Sequence, residues 1–100
     1  MKCDLSGKVS LVTGAQRGIG QAIADRFAAN GSIVYYTDLD EANAKAAAAR
    51  SPNGRGLRLD VTKTGEIAAA VERIRKECGR LDIVVNNAGV NTLANRVTID

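Results

Sequence analysis

The sequence predicts an α/β fold, a doubly wound parallel sheet built as β-α-β-α-β-α-β with strand order 3-2-1-4. Three observations lead there. Short runs of β-branched and aliphatic residues alternate along the chain with amphipathic or Ala-rich stretches. The connections between them are short, as in βα units with right-handed crossovers. Aromatic residues are 3% of the chain, and Trp and His are absent, so Val, Ile, Leu and Ala must fill the core. That is the usual filling of a parallel sheet covered by helices.

Each element has its own justification. A first strand is expected over residues 8–13, around Val9, Leu11 and Val12. A helix follows over 19–30, with Ile19, Ile23 and Phe27 spaced by four and Gly31 placed to end it. Residues 32–37 hold Ile33, Val34, Tyr35 and Tyr36, a run that suits a buried strand. Residues 41–50 are Ala-rich and helical by propensity, with Asp40 as N-cap. Ser51, Pro52, Asn53 and Gly54 break that helix. The third strand is expected at 56–61 and the third helix at 63–78. On that helix Ile67, Val71, Ile74 and Cys78 share a face, Thr62 or Thr64 caps the start and Gly79 ends it. The fourth strand, 81–86, carries Ile83, Val84 and Val85. Val9, Val12, Ile33, Val34, Leu59, Val84 and Val85 are the expected buried set. The outer edge of the fourth strand is expected to stay apolar and unpaired.

Residues 1–100 are expected to form one domain, because 45% apolar residues suffice for one core and not two. The net charge of +3 comes from 14 basic and 11 acidic residues scattered from Lys2 to Arg96. The densest basic group, Arg73, Arg75 and Lys76, is flanked by Glu72 and Glu77, and the Glu72/Lys76 and Arg73/Glu77 spacings mark a solvated helix face. A nucleic-acid or membrane surface would need clustering of one sign with stacking aromatics, so neither partner is expected. Cys3 and Cys78 have no metal or redox spacing, no metal is expected, and Cys78 reads as a reduced core cysteine. The N-terminus has no signal-like apolar region and no apolar run reaches membrane-spanning length, which predicts a soluble cytoplasmic protein.

Four strand ends carry the candidate chemistry. Residues 13–20 read Thr-Gly-Ala-Gln-Arg-Gly-Ile-Gly. Gly14 lets the chain turn sharply, Gly18 clears the helix start for a close ligand, and Gly20 allows the helix to approach the sheet. The free N–H groups and positive end of the first helix then face an anion such as a pyrophosphate. An ordinary glycine-rich βα turn is the alternative, and the strand-before, helix-after context argues against it. Asp38 ends the second strand, where a carboxylate can accept from both hydroxyls of an adenosine ribose; a solvated loop acid is the alternative. Asp60 and Val61 end the third strand, where the acid can accept from an exocyclic amino group and Val61 can line an adenine pocket. A strand-end turn acid is equally compatible with Asp60. Asn86, Asn87, Ala88 and Gly89 end the fourth strand, where two amides can cross-link strand ends and Ala-Gly lets a ribose approach; an Asx-type turn is the alternative.

Together these strand ends resemble the classical short-chain dehydrogenase/reductase family, a Rossmann-type fold. Its nucleotide signature, Thr-Gly-x-x-x-Gly-x-Gly, matches Thr13 to Gly20, and its Asn-Asn-Ala-Gly signature matches Asn86 to Gly89. The Asp60-Val61 pair and the lead-in Leu5-Ser6-Gly7-Lys8-Val9 are also similar, so the resemblance covers essentially the whole chain. It implies that Thr13 bonds into the Asn86-Asn87 turn and that Gln16, Arg17 and Ile19 approach the ribose and pyrophosphate. It implies further that Asp38 holds the adenosine ribose, Asp60 and Val61 flank adenine, and Asn87, Ala88 and Gly89 touch the inner ribose. The family's catalytic Tyr-x-x-x-Lys, with a Ser upstream, lies well after Asn-Asn-Ala-Gly. Here the only tyrosines are Tyr35 and Tyr36, and four residues on stand Leu39 and Asp40. No catalytic residue is therefore assigned. The catalytic Ser, Tyr and Lys are expected beyond residue 100, and the chain alone is expected to be inactive and poorly soluble or associating.

The implied activity is hydride transfer between a nicotinamide cofactor and an alcohol or its carbonyl partner. Residues 90–100 resemble sugar- and polyol-oxidising members. The full-length protein is expected to be a homo-oligomer. NAD is favoured over NADP: Arg17 can meet a 2′-phosphate, but Asp38 repels it and gains charge-assisted hydrogen bonds from the 2′-hydroxyl. The competing function is a stand-alone nucleotide-binding or regulatory module, which needs no catalytic half.

Overall fold

The computed structural model describes residues 5–14, 18–86 and 97–99. Its elements are β1 (Val9–Thr13), α1 (Gly18–Ala29), β2 (Ile33–Asp38), α2 (Glu41–Ala48), β3 (Gly54–Arg58), α3 (Thr64–Cys78), β4 (Ile83–Asn86) and β5 (Val97–Ile99). They form one sheet in the order β3-β2-β1-β4-β5. The first four strands are parallel, as expected, with Val12 beside Tyr36 on one side and beside Val85 on the other.

Alternation of side chains along each strand sends successive residues to opposite faces. On one face Val12, Val34, Tyr36 and Val85 meet Ala24 and Ala28 of α1 and Ala47 and Ala48 of α2. On the other, Val9, Leu11, Tyr35, Leu57, Leu59 and Leu81 meet Ala70 and Ile74 of α3. Of the expected core, Val9, Val12, Val34, Leu59 and Val85 are buried. Ile33 and Val84 are only half-buried and pack on the rim of the α3 cluster. Cys78 is a free, half-buried cysteine on that same rim.

The third strand departs from expectation. It runs Gly54–Arg58 rather than 56–61, so Asp60 and Val61 lie in the turn beyond it. Gly54 and Gly56 are poor strand formers on propensity. The structure needs them for a different reason. The backbone of α2 presses directly on β3, Ala48 against Gly54 and Lys45 against Gly56, and a Cβ on Gly56 would sit 2.6 Å from Lys45 Cα. A second departure is β5, which pairs antiparallel with β4 through Ile83–Ile99, Val84–Thr98 and Val85–Val97. The edge of β4, expected to be bare, is covered.

Helix ends follow local chemistry. Asp40 Oδ1 accepts the Ala42 amide at 2.9 Å and caps α2. Gly79, at φ +79°, ends α3 with its amide on the Arg75 carbonyl at 2.8 Å. Lys63, rather than Thr62 or Thr64, stands at the N-cap of α3 and makes no side-chain cap bond. Thr62 is drawn away because its hydroxyl donates to Asp60 Oδ1 at 2.6 Å. Buried polar groups tie the central strands: Ser10 and Ser32 share a 2.7 Å bond, and the Thr37 hydroxyl donates to the Val12 carbonyl at 3.0 Å.

Candidate functional site

All four parallel strands end at one edge of the sheet, at Thr13, Asp38, Arg58 and Asn86. In open α/β sheets this carboxyl edge is where ligands bind. The order 3-2-1-4 puts the second and fourth strands on either side of the first, so the chain crosses over one face after β1 and the other after β3.

At the end of β1 the backbone turns through Gly14 at φ +63° and Gly18 at φ +61°, a left-handed conformation that disfavours any side chain. A Cβ on Gly18 would meet nothing within 4 Å, so the requirement there is backbone conformation and the space beside it is open. Gly20 is buried. The first turn of α1 carries no acidic side chain. No acid of that turn therefore neutralises the positive dipole end of the helix. Thr13 is buried, and its hydroxyl donates to the Val85 carbonyl at 3.4 Å, joining the ends of β1 and β4.

Asp38 is half-buried at the end of β2, and its Oδ2 accepts the Asp40 amide at 3.0 Å. Ile19 and Leu39 are large apolar side chains exposed at 73% and 62%, and both stand at this edge. Exposed apolar groups beside a glycine turn and a carboxylate suit a ligand that has both a flat apolar face and polar hydroxyls.

Asp60 is a turn residue. Its Oδ1 accepts both the amide of Thr62 at 3.0 Å and its hydroxyl at 2.6 Å. Those bonds hold the Asp60 carboxyl below its usual range. The Asp60 amide donates to Glu66 Oε1 at 3.0 Å, so the first turn of α3 braces this loop. Val61 is half-buried and packs on the Leu57–Leu59 cluster. Gln16, Arg17, Asn87, Ala88 and Gly89 lie outside the described residues.

Sequence reasoning missed Arg58 and Glu66. Arg58 is the register partner of Asp38. Its Nη1 lies 3.3 Å from Glu66 Oε1, the oxygen that also holds the Asp60 amide. The available signal was an acid in the first turn of a helix directly after a strand-end acid.

The two tyrosines are structural. Tyr36 donates to Asp25 Oδ1 at 2.7 Å, and burial pushes its hydroxyl up to about 12. Tyr35 donates to Glu77 Oε1 at 2.6 Å, and burial raises it further. Proton transfer near neutrality needs the opposite shift. Among the described residues no group of three or more His, Cys, Asp or Glu could hold a metal, and no helix is long and apolar enough to cross a membrane.

A family model described as short chain dehydrogenase matches residues 8–100. The chain is 48% identical over 88 residues to 3-oxoacyl-[acyl-carrier-protein] reductase FabG of Escherichia coli (strain K12), covering 87% of this chain and 36% of that protein. It is 45% identical over 91 residues to galactitol 2-dehydrogenase of Agrobacterium fabrum, covering 90% of this chain and 36% of that one. D-threitol dehydrogenase of Mycolicibacterium smegmatis is 44% identical over 94 residues, covering 90% of this chain and 36% of that one. The crystal structure of a hydroxysteroid dehydrogenase from Escherichia coli matches with TM-score 0.80 and 33% identity, over 86% of this chain and 37% of that one. The chain thus spans little more than a third of the length of the relatives it matches.

Proposed function

Because this chain belongs to the short chain dehydrogenase family, we propose that it supplies the cofactor-binding half of a nicotinamide-dependent oxidoreductase. One observation carries the reading. The glycine turn of Gly14, Gly18 and Gly20, the carboxylate of Asp38 and the Asp60–Val61 turn all stand at the same carboxyl edge of a parallel sheet. In the proposed complex the start of α1 receives the pyrophosphate, with Gln16, Arg17 and Ile19 beside it. Asp38 accepts from the adenosine ribose, Asp60 and Val61 flank the adenine, and Asn87, Ala88 and Gly89 lie along the inner ribose. The bound cofactor supplies hydride transfer to or from a carbon bearing oxygen. The proton steps belong to a Ser, Tyr and Lys beyond residue 100.

Substrate and cofactor choice follow from the same reading. We take the substrate to be an alcohol or carbonyl compound of the sugar or polyol class, which the names of the galactitol and threitol relatives support. NAD is the preferred cofactor. A 2′-phosphate roughly 4 Å from Asp38 would be repelled by about 4 kcal/mol at an effective dielectric near ~20, and by less where water screens it. The full-length protein is taken as a cytoplasmic homo-oligomer.

The test is turnover by the full-length protein with NAD and NADP against a panel of polyols and their ketoses. NAD-linked oxidation of a polyol is expected. Dinucleotide binding with no turnover of any alcohol or carbonyl compound would leave a nucleotide-binding module instead.

A further inference from the structure

The positions of Arg58 and Glu66 carry an inference beyond cofactor binding itself. Asp38 and Arg58 are paired in register at the ends of β2 and β3. Register partners on neighbouring strands send their side chains to the same face, about 4.8 Å apart. That face is the one α2 covers, since Tyr36 on β2 packs beside Ala47 and Ala48, and Gly56 on β3 lies against Lys45. Glu66 sits on α3, across the sheet. Arg58 meets it at the carboxyl end of β3, where the same Glu66 oxygen accepts the Asp60 amide. The guanidinium therefore starts on the face of Asp38 and is drawn off it, to 3.3 Å from Glu66 Oε1.

We propose that Glu66 is a positioning residue that sets cofactor choice by holding the Arg58 guanidinium away from the ribose carboxylate. This rests on Asp38 binding the adenosine ribose, as proposed above. With Arg58 tied to Glu66, the 2′ position of the cofactor meets a carboxylate and no cation from β3, and a 2′-hydroxyl is preferred. With Arg58 released, a guanidinium one strand away can pair with a 2′-phosphate bidentately. The pair is breakable, since the side chains of Arg58 and Glu66 are exposed at 50% and 32%. Glu66 also accepts the Asp60 amide, so the same oxygen braces the turn placed beside adenine.

The two roles separate in the substitution E66Q. Glutamine keeps a carbonyl oxygen for the Asp60 amide and loses the charge that holds Arg58. Calorimetric titration of the full-length protein with NAD and with NADP reads the outcome. E66Q is expected to shift the affinity ratio toward NADP by about fivefold, the scale of one partly exposed ion pair. NAD affinity should stay within about twofold. The double variant E66Q/R58M should return the ratio to that of the unmutated protein, which a merely loosened turn would not do. If E66Q does not fold, E66D, which draws the charge back by one methylene, should show a smaller shift in the same direction. A folded E66Q with an unchanged ratio overturns the proposal, as does a shift that persists in E66Q/R58M. D38A separates the two levels of the argument. If D38A moves the ratio and E66Q does not, only the role of Glu66 fails. If D38A leaves the ratio unchanged, or the protein binds neither dinucleotide, the reading of Asp38 fails and the role of Glu66 falls with it.

Discussion

The carboxylate of Asp82 accepts the backbone amide of Val9 at 2.9 Å while Arg80 grips its two oxygens at 2.7 Å each. This joint between β1 and β4 lies at the edge opposite the candidate site, and Asp82 is 8% exposed. Asp82→Ala leaves the Val9 amide buried without its acceptor and is expected to destabilise by about 2–3 kcal/mol in urea unfolding. Arg80 holds the Asp82 carboxyl below its usual range. A folded-state pKa lower than the unfolded one makes the stabilisation complete above the unfolded value, about 3.9, and progressively lost as pH falls through the folded value. Unfolding midpoints from ~pH 5 to ~pH 3 should therefore fall more steeply for the unmutated protein than for Asp82→Asn.

The contact between α2 and β3 leaves no room for a side chain. Gly56→Ala is expected to cost about 2–3 kcal/mol, because the Lys45 backbone cannot move without shifting the helix. Gly65→Ala is the matching control. It lies in α3, a Cβ there meets nothing within 4 Å, and the change should stabilise by about 0.5 kcal/mol. Thermal melts of the two variants should move in opposite directions.

Tyr36→Phe removes hydrogen bonds to Asp25 at 2.7 Å and Ser51 at 3.2 Å, and should lower stability by about 1 kcal/mol. Turnover of the full-length enzyme should be unchanged. A large loss of kcat with KM and stability intact would assign Tyr36 a part in the chemistry.

Asp38→Ala should erase most of the proposed preference for NAD, a change of one to two orders of magnitude in relative affinity if about half of the repulsion survives screening. Arg17→Ala should change NAD binding little. Paired titrations with both cofactors measure this, and tighter NADP binding by the unmutated protein would mean that Arg17, rather than Asp38, decides.

Much of this was legible in the sequence because the periodicities are clean. The run Ile33-Val34-Tyr35-Tyr36 in β2 is continuously apolar or aromatic, and α3 repeats Ile67, Val71 and Ile74 on one face. The order of four parallel strands and the turn glycines followed from those patterns. β3 was misplaced because Gly54 and Gly56 serve a helix that approaches from outside the strand, and local propensity carries no record of such a neighbour. β5 was missed because Val97–Ile99 is a three-residue strand whose stability comes from its partner β4. Arg58 and Glu66 were missed for a related reason. Their ion pair joins the last residue of β3 to the first turn of α3, and a run of residues shows which side a strand position faces but not where a long flexible side chain ends.

The placement of β1 at the centre of the sheet has a consequence for synthesis. Its tie to β2 through Ser10 and Ser32 spans 22 positions, whereas its tie to β4 through Val9 and Asp82 spans 73. Loop closure rises with the logarithm of length, so the second costs about 1 kcal/mol more than the first. It also cannot form until Asp82 has left the ribosome. The nascent chain must therefore carry β1 with one side paired and the other open, presenting unpaired amides along a strand that is fully buried in the finished fold. That interval, rather than the finished molecule, is where this chain is most exposed to aggregation.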